Sequence, residues 1–428
     1  MERLSETPSS RPSSWKWWIC GLLLLASTIN YMDRQTLANA AVRITEHFHL
    51  SQAKYGKLEW YFGWAFAAGS LLFGVLVDRY SVRWIYPIVL VLWSATGFAT
   101  GLARDYDGLL VCRTLLGLFE AGHWPCAIKT TQRLLEPADR AMGNGLLQGG
   151  ASLGAIATPQ VMNAMMTPQL ETWRMPFQVI GAAGLAWVVA WFTMVRESDL
   201  APVRVPSVPA ASESSTLTGS WRVLISRRMI VVLVMIACIN TSWQILRAWL
   251  PKFLIEGRGY TEKAAFNFSS LYYVATDVGC LGAGALTLWL VRRGLPVHRS
   301  RLLVFFGCAA MTVSSISVLV LPKGWPLLAT LLVVGAGALG VFPVYHALTQ
   351  ELSPFHQGKV TGIAGVAAWA LSPVQTLFGR HIDKTGSFDL GLAIAGCLPL
   401  AAFLALWLFW GSPRDELQVE LAAASTRT

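Results

Sequence analysis

The sequence predicts an all-α membrane protein: twelve transmembrane helices in two six-helix bundles. Three observations lead there. Apolar residues make up 54% of the 428-residue chain and charged residues only 14%, against roughly 25% charged in water-soluble domains. Mean hydropathy is accordingly positive, +0.48. Charge clusters then cut the chain into twelve apolar runs, each near the roughly 20 residues that a helical span requires. Finally, one polar stretch divides those runs six and six.

Span 1 covers 16–38. Its apolar start, Trp17 to Thr28, has no small-residue cleavage site and runs on into a polar segment that still reads as helix, so it is an uncleaved span and not a signal peptide. Spans 2 and 3 cover 56–77 and 84–104, with the charged loop around Asp78 between them; spans 4, 5 and 6 cover 107–131, 141–166 and 175–195. These form an N-terminal bundle, 16–195, after a tail at 1–15. Residues 196–222 are Pro- and Ser-rich and too polar to fold alone, hence a connector. The C-terminal bundle, 223–412, holds spans 7 to 12 at 229–250, 264–290, 302–321, 325–348, 358–379 and 389–411, followed by a tail at 413–428.

Charge sets orientation and excludes several functions. Twenty Lys and Arg fall on the side of the N-terminus, eleven on the other, and three inside spans. The positive-inside bias makes both termini cytoplasmic, and the location expected is the cell (inner) membrane, multi-pass. Net charge +10 could suit a polyanion, but no basic tract with interleaved aromatics exists, so no nucleic acid is expected. The seven cysteines lie in apolar runs, without metal-ligand spacing or a disulfide framework. No GxxxxGK[ST] loop occurs, which excludes ATP-driven transport. Nor is there a catalytic constellation: the chain is expected not to be an enzyme and to need no cofactor.

The charges inside the spans carry the functional signal, because each costs about 2.5–3.5 kcal/mol or more at a helix centre. The bases are Arg34, Arg113 and Arg247; the acids at comparable depth are Asp33, Glu120 and Asp277. Asp33 and Arg34 lie roughly 25 Å along span 1 at 1.5 Å per residue, in the outer third with Arg113, and Glu120 is nearer the middle. Arg113 and Glu120 are seven apart, on one helix face, with Gly117 between them to admit another backbone. A closed structural ion-pair knot would account for these four. A proton-coupled anion site would also, since it needs a carboxylate to protonate and a guanidinium to face the substrate.

Twelve spans in two halves, with GVLVDRYSVR between spans 2 and 3, resemble the major facilitator superfamily; Gly74, Asp78, Arg79 and Arg83 match its signature loop, while Tyr80 and Ser81 stand where a glycine is usual. NYMDR (Asn30 to Arg34), RTLLGLFEAGHWP (Arg113 to Pro125) and WRMPF (Trp173 to Phe177) resemble its anion:cation symporter branch, which includes bacterial hexuronate and galactonate transporters. The resemblance implies Asp33 and Glu120 as proton-coupling carboxylates, Arg34 and Arg113 as their partners, and Tyr31 as a sugar-hydroxyl ligand. Phe66 replaces a tyrosine that some acid-sugar symporters carry in span 2.

Arg247 either clamps a substrate carboxylate, with Trp243 and Trp249 stacking on a sugar face or on the guanidinium, or snorkels to the outer interface among those tryptophans. Asp277 either pairs with Arg247, acts as a second proton site or makes a helix-packing bond. Gln148, Trp369, Ser372 and Gln375 are candidate cavity liners; His346 reads as interfacial. Asp78 and Arg79, with Arg133 as a possible partner of Asp78, are candidate gating residues at the inner face. The function expected is proton-coupled symport of an organic anion, such as a hexuronate or hexonate, by a monomer in the lipid bilayer through alternating access. The alternative is exchange or export of amphiphilic, lipid-like or other organic anions.

Overall fold

The computed structural model describes residues 14–136, 139–200, 226–351 and 357–410. Most of the 196–222 connector and nearly all of both tails lie outside them. Fifteen α-helices are described: α1 (Trp15–His47), α2 (Gln52–Arg79), α3 (Val82–Thr100), α4 (Tyr106–Glu120), α5 (His123–Leu134), α6 (Arg140–Met165), α7 (Arg174–Met194), α8 (Arg227–Lys252), α9 (Glu262–Arg292), α10 (Val297–Val313), α11 (Trp325–Gly340), α12 (Phe342–Glu351), α13 (Gln357–Ala370), α14 (Val374–Thr385) and α15 (Asp389–Phe409). They build twelve spans, because α4/α5, α11/α12 and α13/α14 are each one span broken in the middle. No strand occurs among the described residues.

The breaks follow the sequence. Pro125, Pro343 and Pro373 each stand within two residues of the start of the following helix, where a missing N–H costs nothing but the preceding turn is disfavoured. A side chain at Gly122 would meet Val89 and Phe73 at 2.8 and 2.9 Å, so the span-4 break sits tightly against α2 and α3. Caps set other ends: Ser51, Ser226 and Thr261 accept from Lys54, Met229 and Ala264 N–H at the starts of α2, α8 and α9.

Nine described helices are long and apolar enough to cross a membrane on composition alone. Spans 1, 4 and 5 fall short. Span 1 runs to His47, nine residues past the predicted end, because its polar second half is buried in protein and apolarity is no guide there. Twenty of its residues are buried, Asn30, Asp33, Arg34, Gln35, Asn39 and Arg43 among them.

We call the face where α1 begins the near face and the face where it ends the far face. Among the described residues, hydrogen bonds between the first six and last six spans lie from mid-depth to the far face. At mid-depth Ser152 donates to Asp277 at 2.8 Å. At the far face Arg43 holds Glu262 at 2.8 and 2.5 Å, Lys252 donates to Thr45 at 2.9 Å, and Asp383 accepts from the Gln52 and Ala53 N–H groups at 2.7 and 2.9 Å. A methyl at Gly56 or Gly379 would overlap the Gln375 or Gln52 backbone across this joint. The far face is shut.

At the near face, the opening residues of the expected connector are folded. Glu197–Leu200 form a short 3-10 turn, with Glu197 accepting from Ser81 at 2.8 Å and the Leu200 carbonyl accepting from Arg133 at 2.7 Å.

Candidate substrate and proton site

Glycine brings the site together. A side chain at Gly117 would collide with the Phe62 carbonyl, so α2 and α4 touch backbone to backbone, as Gly117 was expected to allow. Phe62 thereby lies between two guanidiniums, 5.3 Å from Arg34 and 4.2 Å from Arg113. Tyr31 and Phe66 complete an aromatic shell around Arg34, at 5.2 and 5.0 Å. Trp369, from the second half, covers Phe62 and Phe66 at 5.5 and 5.3 Å.

Inside that shell Arg34 donates from Nε and Nη2 to one oxygen of Glu120, at 3.1 and 2.9 Å. Both side chains are buried. The other Glu120 oxygen, Oε1, is buried with no hydrogen-bond partner among the described residues. The expected Arg34–Glu120 neighbourhood is therefore present as a direct ion pair.

Three expectations are corrected. Arg113 does not pair with Asp33 or Glu120: its Nη2 donates to Glu59 at 2.9 Å. Arg247 does not pair with Asp277 and does not snorkel: at 1% exposure it donates to the second oxygen of Glu59 at 2.5 Å and to Gln244 at 2.8 Å. Asp33 faces α3, its Oδ1 2.8 Å from where a side chain at Gly97 would begin, and it has no hydrogen-bond partner among the described residues. The reason is helical geometry. Consecutive residues point about 100° apart, so Arg34 reaches α4 while Asp33 looks at another helix.

Glu59 escaped the sequence analysis. It lies inside predicted span 2 in LEWYFGWAF, and its signal was simply a carboxylate in an apolar run. At 1% exposure it joins both halves. Lys252, two residues past the predicted end of span 7, is also fully buried, bonded to Glu256 at 2.7 Å. His123, in the span-4 break, is buried between Ser27 and Tyr86, each at 2.9 Å.

Other candidates sit elsewhere. Asp277 is tied to Ser152 and not to an arginine. Trp243 packs edge-on to Tyr273 and Phe342, each ring 6.3 Å away, as core and not as a stacking platform for Arg247. Gln148 is exposed. The Ser372 hydroxyl donates to the Trp369 carbonyl, Gln375 accepts from the Trp249 indole at 2.6 Å, and His346 is exposed against Tyr345. Asp78, 86% exposed, faces Lys129 at 3.9 Å and not Arg133, which is committed to Leu200. Arg79 is exposed.

The core thus gathers three guanidiniums and three carboxylates in lipid-depth helices. All ionised, the six sum to zero. Twelve spans around such a core define a multi-pass membrane transport protein.

The sequence model of the Major Facilitator Superfamily matches residues 23–375, and the chain belongs to this family of transporters. It is 27% identical over 403 residues to the probable L-galactonate transporter of Escherichia coli K12, covering 90% of this chain and 87% of that one. It is 23% identical over 425 residues to the hexuronate transporter of the same strain, covering 92% and 93%. In fold it resembles the crystal structure of a bacterial homolog of the human lysosomal transporter Spinster, inward-facing and unoccupied (TM-score 0.76, 17% identity, 94% and 100% covered). A crystallised D-xylose-proton symporter gives TM-score 0.73 at 17% identity, with 92% and 98% covered. Relatives and family alike are transporters, and this chain is a transporter and not an enzyme.

Proposed function

We propose that the protein is a proton-coupled symporter of organic anions of the sugar-acid class, hexuronates or hexonates, working as a monomer by alternating access in the inner membrane. Its two six-helix bundles would rock about the buried charges. The near face, richer in Lys and Arg, is then cytoplasmic and holds both termini, and the structure described is the inward-facing state.

The observation that carries the reading is the buried Arg34–Glu120 pair. A guanidinium has a planar fork suited to a carboxylate, and Glu120 occupies it through two bonds. Protonating Glu120 frees the fork for a substrate carboxylate. One proton arriving with one monoanion leaves the six-charge core at its original sum, so neither the empty nor the loaded carrier buries net charge. Asp33, buried without a hydrogen-bond partner among the described residues, would be the second proton-coupling carboxylate. Tyr31, whose ring lies against Arg34, would meet a sugar hydroxyl. The substrate class is supported by relatives named as galactonate and hexuronate transporters.

The test is uptake of labelled hexuronates, hexonates and dicarboxylates into proteoliposomes, with and without an imposed pH gradient. Accumulation of a sugar acid only with the gradient supports the reading; gradient-independent equilibration of every compound overturns it.

A further inference from the structure

We propose that Glu59 is a built-in stand-in for the substrate carboxylate: it holds Arg247 while the far face is shut and the site is empty, and yields it when that face opens. The inference rests on the anion-symport reading above and names a residue that reading leaves unused.

The argument is topological. Glu59 takes one arginine on each oxygen. Arg113, at 2.9 Å, belongs to the same half as Glu59; Arg247, at 2.5 Å, belongs to the other. Rigid-body opening of the far face carries Glu59 and Arg113 away together and, of the two bonds of Glu59, breaks the one to Arg247. Everything around that bond closes the same joint: the Tyr55 hydroxyl on the Ala248 carbonyl at 2.8 Å, Gly56 against Gln375 and Arg43 on Glu262. Opening therefore exposes a cation that has lost its carboxylate. Water solvates Arg247 while the joint is open, and shutting the joint would bury it uncompensated unless Glu59 or an incoming organic anion pairs with it.

Closure runs the exchange backwards. As the joint shuts, Glu59 returns to within reach of Arg247 and competes with the bound substrate, favouring release at the near face. With no substrate aboard, Glu59 supplies the counter-charge of Arg247, so the empty carrier holds its far face shut without burying an unpaired charge. Net uptake requires the empty carrier to occupy that far-shut state after release and then to reopen the far face. Exchange of substrate for substrate does not.

The test compares wild type with Glu59→Gln and Glu59→Asp, each carrying Ser270→Cys, a position 9% exposed at the far-face joint. Labelling by a membrane-impermeant maleimide, without ligand, reads far-face opening; calorimetry with galacturonate and galactonate reads affinity; counterflow and net uptake are measured in proteoliposomes. Glu59→Gln should label at least about fivefold faster, bind the sugar acid roughly tenfold more tightly because a charge-assisted competitor is gone, keep counterflow and lose net uptake. Its affinity should keep the wild-type pH dependence, which separates it from a proton-carrying residue. Glu59→Asp should fall between. Unchanged labelling, or weaker binding with counterflow lost alongside uptake, overturns the proposal in favour of a purely structural clasp. Should Glu59→Gln fail to fold, Glu59→Asp and Arg247→Gln decide it, since both must speed ligand-free labelling. If wild type binds no sugar acid, the substrate reading fails, and the ligand-free labelling still decides whether Glu59 shuts the far face.

Discussion

Neutralising Glu120 tests the central pair most directly. In Glu120→Gln the side chain keeps its shape and still offers one carbonyl oxygen to Arg34, but the charge is gone. Arg34 makes two bonds to the ionised oxygen, at 3.1 and 2.9 Å. A substrate carboxylate must displace them when Glu120 is ionised and need not when it is protonated. One charge-assisted bond contributes about 1.5–3 kcal/mol, so wild-type affinity should fall roughly ten- to hundredfold as pH rises through the protonation of Glu120. Glu120→Gln should bind with the low-pH affinity throughout. Transport should divide accordingly. A gradient of one pH unit supplies about 1.4 kcal/mol per proton, enough for about tenfold accumulation at one proton per anion. The variant should stop at equilibration yet sustain counterflow, because a permanently neutral side chain mimics the protonated carrier. Calorimetry at two pH values and proteoliposome uptake measure both. Gradient-driven accumulation by Glu120→Gln, or a pH slope equal to wild type, would refute the reasoning.

Three further outcomes follow from the geometry. Arg247→Lys keeps the charge but not the fork that serves Gln244 and Glu59 together, so substrate affinity should drop about tenfold or more; a change within about twofold removes Arg247 from the site. Gly56→Ala places a methyl on the Gln375 backbone and should hold the far face open, keeping binding from that side but abolishing uptake; normal uptake would show that the joint does not close this tightly during transport. Asp383→Asn removes the charge that caps the Gln52 and Ala53 N–H groups, which costs about 0.5–2 kcal/mol for a lost cap. Faster thiol labelling of Ser270→Cys in that background is the expected reading, and an unchanged rate argues against Asp383 as part of the far-face latch.

What could be read from the residues was what each residue costs by itself. Arg34, Arg113, Glu120 and Arg247 stood out because a charge at lipid depth is expensive wherever it occurs. Gly117 was legible as a close-approach point because only the absence of a side chain permits one. Glu59 obeys the same rule and was still missed: surrounded by Trp60, Tyr61 and Trp64 near the far end of α2, it reads as part of an interfacial aromatic girdle. The end of span 1 was misplaced for a related reason. Asn39, Ala40, Ala41, Arg43, Ile44 and Thr45 are buried against protein, so hydropathy reports lipid contact and not helix length.

Twelve lipid-solvated helices, their division into halves and the presence of ionisable groups within them are properties of the chain itself. Lipid forces every backbone group to be satisfied within its own helix, and that demand is local. Which arginine meets which carboxylate is a different kind of fact. Asp33 and Arg34 are neighbours in sequence, yet one faces α3 and the other Glu120; Arg247 finds Glu59, 188 residues away. A turn of about 100° per residue sends adjacent side chains to different helices, and only the packing of those helices decides the partners.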